Sequence, residues 1–257
     1  MSTPIDKKTK LNNKMCPTED VDIRAIERVS YRSAVGSLMY AMTRTRPDLS
    51  FFLSLVSRFQ SNPGEEHWKT IKRIIRYLKG TMIYTLTYKG GTEIAIEGYS
   101  DANYLEDSDD AKSTSGYVFM LGRGAVSWKS KKQDIVALST MESEYVACCR
   151  VAKEVVWIKK FLNQLNCHPL RYEAVRIFCN NTAAICVSKE PRFHKNSAHI
   201  KLYFYHLRNE VRLKEIEINY ISTDLMIAKP LTKGVVPNVF VRHVREMEMR
   251  KSEEERM

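Results

Sequence analysis

No stretch of the sequence approaches the apolar length that a bilayer-spanning helix requires. Such a helix needs about 20 consecutive, mostly apolar residues. The first segment, residues 1–14, is polar and basic and lacks the apolar core of a secretory signal. These absences argue against a membrane partner. We therefore expect an intracellular protein, cytoplasmic or nuclear.

Closely spaced cysteine pairs are also missing. The six cysteines form no Cys-x-x-Cys motif, which gives no support to a disulfide framework or to a structural zinc site. A chain of 257 residues with 44% hydrophobic residues can fill a core without covalent staples. A Gly-x-Ser-x-Gly elbow is absent as well, so the sequence does not support a serine hydrolase.

Acidic residues are in deficit. The chain has 41 Lys and Arg against 30 Asp and Glu, a formal net charge of +11, which favours a polyanionic partner such as nucleic acid. Two basic groups are candidates for phosphate contacts or, equally, for solvated surface. One lies on a helix predicted over 63–79, and the other follows the third predicted strand; they are Lys69, Lys72, Arg73, Arg76 and Lys79, and Lys129, Lys131 and Lys132.

Composition and periodicity divide the chain into four segments. Residues 1–29 are predicted to be a flexible lead-in, and residues 236–257 a charged C-terminal extension that is frayed from Glu246 onward. Residues 30–90 have helical spacing with capping signals. Residues 92–235 read as three antiparallel strands, a long helix, a strand, helices and a final strand. This order predicts an α/β fold, a mixed five-stranded sheet flanked by helices.

Apolar spacing also predicts which side chains are buried. On the helix over 63–79 the predicted buried stripe is Trp68, Ile71, Ile75 and Leu78. Trp128 and Trp157 fall on apolar faces as well. We expect both in the core rather than as platforms for base stacking.

Two carboxylates are placed to meet. Asp101 ends the first predicted strand of the sheet, and Glu144 lies in the first turns of the long helix that must pack on it. Glu142 competes, but its spacing from Ser139 is that of a helix cap. Metal-assisted phosphodiester cleavage needs carboxylates around divalent ions. Asp101 and Glu144 are therefore the candidate catalytic and metal-binding residues.

Several separated motifs now carry a resemblance. Residues 98–102 (Gly-Tyr-Ser-Asp-Ala), 113–117 (Ser-Thr-Ser-Gly-Tyr) and 139–145 (Ser-Thr-Met-Glu-Ser-Glu-Tyr) resemble the ribonuclease H of Ty1/copia-type retrotransposon Pol polyproteins. The resemblance reaches back to residues 31–40 and 45–48 and forward to residues 228–234. It covers nearly the whole chain.

The resemblance implies a fold and a chemistry. Residues 92–235 would be ribonuclease H-like, and residues 30–90 the thumb-like C-terminal end of a reverse transcriptase. No Tyr-x-Asp-Asp motif occurs in the chain, so on the family's pattern it does not itself synthesise DNA. The nuclease of this family would cut the RNA strand of an RNA–DNA hybrid with Mg²⁺ ions held by four carboxylates.

The sequence departs from that pattern at two of the four acids. Asn180 stands in a Cys-Asn-Asn context where the family has Cys-Asp-Asn, and Lys229 replaces the acid of Ala-Asp-Pro-Leu-Thr-Lys. An ammonium about 4 Å from a divalent ion would repel it by roughly 8 kcal/mol at an effective dielectric near 20. We therefore expect a site that holds Mg²⁺ poorly and has degraded or absent nuclease activity.

Three interpretations of function remain open. The first is a retrotransposon-derived pseudoenzyme that still binds RNA–DNA hybrid. The second is a non-enzymatic interaction or effector-type protein that reuses the fold, with protein partners that the sequence does not identify. The third is a polyprotein fragment that works together with an intact copy.

Overall fold

The computed structural model describes residues 3–7, 9–88, 95–165, 174–190 and 201–252. The helices in these ranges are α1 (Asp20–Glu27), α2 (Tyr31–Thr45), α3 (Ser50–Val56), α4 (Glu65–Gly80), α5 (Thr140–Gln164), α6 (Thr182–Lys189), α7 (Lys201–Arg212) and α8 (Pro237–Glu246). The strands are β1 (Tyr84–Leu86), β2 (Ile96–Asn103), β3 (Thr114–Leu121), β4 (Gly124–Lys132), β5 (Val175–Cys179), β6 (Ile216–Tyr220) and β7 (Met249–Lys251).

Five of the strands form a mixed sheet in the order β4-β3-β2-β5-β6. β2, β3 and β4 are antiparallel neighbours. β5 runs parallel to both β2 and β6, because each parallel connection is made through helices rather than tight turns. This arrangement confirms the predicted ribonuclease H-like α/β fold. Asp101 lies inside β2 rather than at its end, since the strand continues to Asn103.

The two faces of the sheet are covered differently. On one face α5 packs its Val151 and Val155 into a cluster that includes Phe119 and Ile177. On the other face Val118 packs in a cluster with the segment around residues 226–231. Fully burying an aliphatic or aromatic side chain contributes roughly 1.5–3 kcal/mol. Burial of both faces therefore fixes the positions of α5 and of the segment around residues 226–231, which both reach Asp101.

A second core joins the helical segment to both ends of the described chain. Ile5 and Leu11 are buried in it, as are Phe240 and Val244 of α8. β7 pairs with β1 in antiparallel register. The flexible lead-in predicted for residues 1–29 is therefore wrong at these apolar positions, and the fraying predicted from Glu246 onward is wrong over β7. Both ends of the chain are rich in charged residues, and this composition hides the few apolar side chains that pack into the core.

The buried face of α4 differs from the predicted stripe. The helix begins at Glu65, and its buried residues are His67, Thr70, Ile71, Ile74 and Tyr77. Ile75 is 41% exposed, and Trp68 and Leu78 are only partly buried. Hydrogen bonds explain why His67 and Tyr77 are buried. His67 accepts a hydrogen bond from the Gly64 backbone N–H at 2.8 Å, and the Tyr77 hydroxyl donates to Asp48 at 2.7 Å. These bonds make burial of polar rings favourable.

The two tryptophans expected in the core also behave differently from the prediction. Trp128 is partly buried and donates its indole N–H to the Met42 carbonyl at 3.1 Å. Trp157 is 57% exposed, so its placement in the core is wrong. Leu165, at the end of the same helix, is also 57% exposed. Across the described ranges, every helix falls short of the length and apolarity needed to cross a membrane.

Gly116 of β3 lets the segment after residue 228 approach the sheet. It lies opposite Asp101 in the β2–β3 register. A Cβ at this position would lie 2.8 Å from the Leu231 carbonyl oxygen and 2.8 Å from the Thr232 methyl carbon. The backbone oxygen can give way only if the whole segment moves. The absence of a side chain at Gly116 therefore allows Thr232 and its neighbours to reach Asp101.

Replacing Gly116 with alanine should separate this segment from the sheet. We expect Gly116→Ala to lower the free energy of unfolding by about 1–3 kcal/mol, the usual effect of overpacking a core. Gly36→Ala is the matched control, because a Cβ there meets nothing within 4 Å, and helix propensity predicts a gain of up to about 1 kcal/mol. Urea unfolding measures both. A Gly116→Ala protein as stable as the wild type would contradict this packing.

Candidate active site

The two predicted carboxylates are close in the structure and both are buried. Asp101 is 0% exposed and Glu144 is 7% exposed. α5 begins after the N-cap Ser139, whose hydroxyl accepts from the Glu142 backbone at 3.2 Å. Glu144 follows within the first two turns and accepts a hydrogen bond from the Ala102 backbone N–H. This bond ties α5 to β2 beside Asp101.

Protein donors surround the Asp101 carboxylate. The Asn180 side-chain amide donates to Oδ1 at 3.3 Å. The Thr232 hydroxyl donates to Oδ2. The Lys233 ammonium lies 3.6 Å from the same oxygen. Both oxygens of Asp101 therefore already accept from side chains, and its charge is balanced by a lysine.

Asn180 is where the family pattern placed it. It follows β5, which pairs in parallel with β2, so the end of β5 lies beside Asp101. In this position its amide acts as a donor to Asp101. An acidic side chain would instead have added a second negative charge.

The Lys229 ammonium is not among the described partners of the two candidate carboxylates. Lys229 begins a short 3-10 turn, Lys229–Leu231, and in the described chain it forms no ion pair with Asp101 or Glu144. Burial is the largest cause of the lowered pKa of His243, and the charge of Lys229 lowers that pKa further. The ammonium beside Asp101 is that of Lys233. Lys233 belongs to the part of the Ala-Asp-Pro-Leu-Thr-Lys motif that this chain keeps, so the departure from the family pattern is the missing acid at residue 229.

Thr232 and Lys233 were missed as site residues. They belong to the same motif as Lys229, and the turn that follows residue 229 brings them around. The Thr232 backbone N–H donates to the Lys229 carbonyl at 3.2 Å, which closes the turn. The sequence did offer a signal, since a threonine and a lysine follow three and four residues after the position where the family has its acid.

Glu144 has an environment that favours its neutral form. Burial raises its pKa well above the usual 4.5, and the negative charge of Asp101 raises it further, while Lys233 opposes the shift. One carboxylate oxygen, Oε2, is buried and has no hydrogen-bond partner within the described ranges. A protonated carboxyl tolerates this position better than a charged one.

The residues present do not fit a pair of Mg²⁺ ions. Mg²⁺ takes oxygen ligands and usually at least one or two carboxylates in near-octahedral geometry. Among the described residues, no group of three or more His, Cys, Asp or Glu side chains could hold a metal. At Asp101, hydrogen bonds from Asn180 and Thr232 and the ammonium of Lys233 compete with a metal ion for the carboxylate oxygens. Metal binding by Asp101 and Glu144 therefore stays a prediction of the resemblance.

The basic candidates have different surroundings. On α4, Lys69 pairs with Glu65 at 3.0 Å and Arg73 pairs with Asp6. The other three cations of that helix are exposed, namely Lys72, Arg76 and Lys79. β4 extends to Lys132, so the second group lies within a strand rather than after it. In this group Lys131 pairs with Asp134 at 3.0 Å. Lys132 pairs with Asp107 at 3.1 Å and with Asp110 at 3.0 Å. Lys129 is exposed.

The raised pKa of Glu144 makes stability depend on pH. The folded state holds a proton that the unfolded state releases above about pH 4.5, so the free energy of unfolding should fall as pH rises beyond that value. Glu144→Gln should remove this loss and be more stable than the wild type at neutral pH. The measurement is urea unfolding in EDTA across pH. Glu142→Gln is the control and should keep the wild-type slope. Parallel curves for wild type and Glu144→Gln would refute the assignment.

Comparisons with known proteins place the chain among transposon proteins. No family model matches it. It is 42% identical over 240 residues to the Retrovirus-related Pol polyprotein from transposon TNT 1-94 of Nicotiana tabacum, covering 93% of this chain and 18% of that protein. It is 37% identical over 203 residues to the corresponding polyprotein from transposon RE2 of Arabidopsis thaliana, covering 79% and 14%. The chain thus spans less than a fifth of these relatives.

A shorter relative is matched over most of its own length. The Secreted RxLR effector protein 161 of Plasmopara viticola is 45% identical over 133 residues, which cover 52% of this chain and 94% of that protein.

Solved structures with some likeness are ribonuclease H domains. The N-terminal RNase H domain of Rv2228c from Mycobacterium tuberculosis has a TM-score of 0.40 and 9% identity, covering 60% of this chain and 98% of that one. LC11-RNase H1, solved with an RNA/DNA hybrid, has a TM-score of 0.40 and 16% identity, covering 53% and 93%. These scores are low, so the fold assignment rests on the strand order. From its sequence relatives, the chain belongs to the copia-type retrotransposon Pol polyproteins.

Proposed function

We propose that this chain is a ribonuclease H-like module that binds RNA–DNA hybrid without cutting it. The observation that carries the proposal is the Asp101 carboxylate, which accepts from Asn180 and Thr232 and lies 3.6 Å from the Lys233 ammonium. Two-metal hydrolysis requires both ions to be held against carboxylates. These two donors and the nearby ammonium compete with a metal ion for the oxygens of Asp101.

The same contacts favour binding of a phosphate backbone. A cluster of four carboxylates repels phosphates unless divalent ions offset its charge. Here Lys233 balances Asp101, and the raised pKa of Glu144 keeps that group neutral over a wider pH range. A hybrid could therefore approach the site without a metal ion. The net charge of +11 adds a general attraction for nucleic acid.

We assign to the two segments of the chain the roles that the family resemblance implies. Residues 92–235 would contact the hybrid beside Asp101, and residues 30–90 would be the thumb-like end of a reverse transcriptase. On α4 the exposed cations Lys72, Arg76 and Lys79 are available to follow a phosphate backbone. Lys69 and Arg73 are less available because acidic side chains already pair with them.

The first test compares cleavage with binding. We expect no release of RNA from a hybrid in Mg²⁺ or Mn²⁺, and a gel shift that persists in EDTA. Binding should weaken at least about tenfold between roughly 50 and 200 mM salt, because phosphate contacts release counterions. Asp101→Asn is the control for any trace activity. Robust cleavage that Asp101→Asn abolishes would overturn the proposal.

The second test restores the missing acids. Asn180→Asp with Lys229→Asp should give measurable Mg²⁺ or Mn²⁺ binding by calorimetry, because it returns two carboxylates to the family positions. The matched control is Asn181→Asp with Lys229→Asp. It makes the same change in charge, but residue 181 caps α6 by accepting from the Ala184 backbone at 2.9 Å. No gain in the first variant, or an equal gain in the control, would show that the site fails for another reason.

A second candidate function is an interaction module without nucleic acid. The match that covers 94% of a protein named as a secreted effector supports it, since a fragment of this size stands there as a whole protein. Pull-down of a defined protein partner, with no salt-sensitive shift of hybrid, would favour this candidate over the first.

A further inference from the structure

An aromatic pair lies on the outward face of α5. Trp157 is 57% exposed and Phe161 is 46% exposed. Their rings are stacked almost in parallel, with centroids 5.5 Å apart and an interplanar angle of 5°. The inward face of the helix is supplied by other side chains, including Val155, Ile158 and Leu162. The two exposed rings therefore contribute little to the packing of the core.

A basic groove begins one helical turn before the pair. It has a volume of about 210 Å³ and is lined by Arg150 and Lys153 of α5 and by Lys129 and Lys131 of β4. Glu154 is the acidic residue that lines it. That carboxylate accepts from the Ser127 hydroxyl at 2.7 Å, so part of its hydrogen-bonding capacity is already used. Asp134 pairs with Lys131 and with Arg150 at 3.0 Å each, so four cations face two acids and the balance of charge is positive.

Helix geometry places the groove and the rings on one surface. Lys153 and Trp157 are four residues apart, as are Trp157 and Phe161, so their side chains are neighbours along one face. From Arg150 to Phe161 the helix advances about 16 Å at 1.5 Å per residue. Cations and stacked rings thus form one continuous strip that crosses from the edge strand β4 to the end of α5.

We propose that this strip binds single-stranded nucleic acid. Unpaired bases would stack on Trp157 and Phe161, and the phosphates would follow Lys153 towards Lys129 and Lys131. Proteins that bind single strands combine a cationic groove with aromatic side chains in this way. In a duplex the bases are already stacked on one another, so the rings favour an unpaired strand. Charge complementarity favours nucleic acid over a protein partner, because the four cations of the groove outnumber the two acids beside them, Glu154 and Asp134.

This site is distinct from the surface beside Asp101. It shares Lys129 and Lys131 with the predicted hybrid contacts but adds the aromatic pair, which the hybrid does not require. It would suit a single strand that extends beyond a hybrid, or a free single strand. The inference does not rest on the absence of nuclease activity.

The test measures binding of a fluorescent oligothymidylate of about 12 nucleotides, a length within the range that such sites cover. We expect Trp157→Ala to weaken binding about tenfold, the effect of removing one base-stacking side chain. Trp157→Phe should retain most of the affinity, because it keeps a ring. Tyr220→Ala is the control: Tyr220 is a 58% exposed aromatic on β6, at the opposite edge of the sheet.

Blunt-ended hybrid separates this inference from the proposed function. Trp157→Ala should bind that hybrid as the wild type does while losing affinity for oligothymidylate. Equal oligothymidylate binding by Trp157→Ala and wild type would overturn the inference and leave hybrid binding unaffected. Self-association that Trp157→Ala abolishes, without any oligothymidylate binding, would overturn it too and assign the strip to a second copy of the chain.

Discussion

The buried carboxylate of Asp101 is the group on which the rest of the site depends. A charged carboxylate removed from water needs a compensating charge or several hydrogen bonds. In this chain the compensation comes from Asn180, Thr232 and Lys233. Gly116 contributes by having no side chain, since a Cβ there would meet the segment that brings Thr232 into place. Strand register, the turn after Lys229 and the glycine together build one set of contacts around one anion.

These contacts change what the ribonuclease H-like fold can do. Glu144 sits beside Asp101 in a buried position that raises its pKa well above the usual value, so it tends towards the neutral form. Its neighbour is balanced by Lys233. Where the family would have four carboxylates, the described contacts bring together one carboxylate, one ammonium and a carboxyl group that favours its neutral form. On the proposed function, weak metal binding and continued binding of nucleic acid would both follow from this electrostatic change.

Much of the fold was accessible from the sequence because its signals are local. The described elements of the sheet follow the predicted order of three antiparallel strands, a long helix and a further strand, because alternating and helical apolar spacing each favour one local structure. Asp101 and Glu144 were identified from strand and helix order alone. The errors arose where distant contacts decide. His67 and Tyr77 are buried by hydrogen bonds, and α8 packs against helices that lie far from it in sequence. Trp157 shows that an apolar residue at helical spacing need not face the core.

The most direct measurement is anomalous diffraction from a crystal soaked in Mn²⁺. We expect no manganese peak between Asp101 and Glu144, with Lys233 and the Thr232 hydroxyl still in contact with Asp101. Two manganese peaks about 4 Å apart, bound by both carboxylates and with Lys233 displaced, would contradict it.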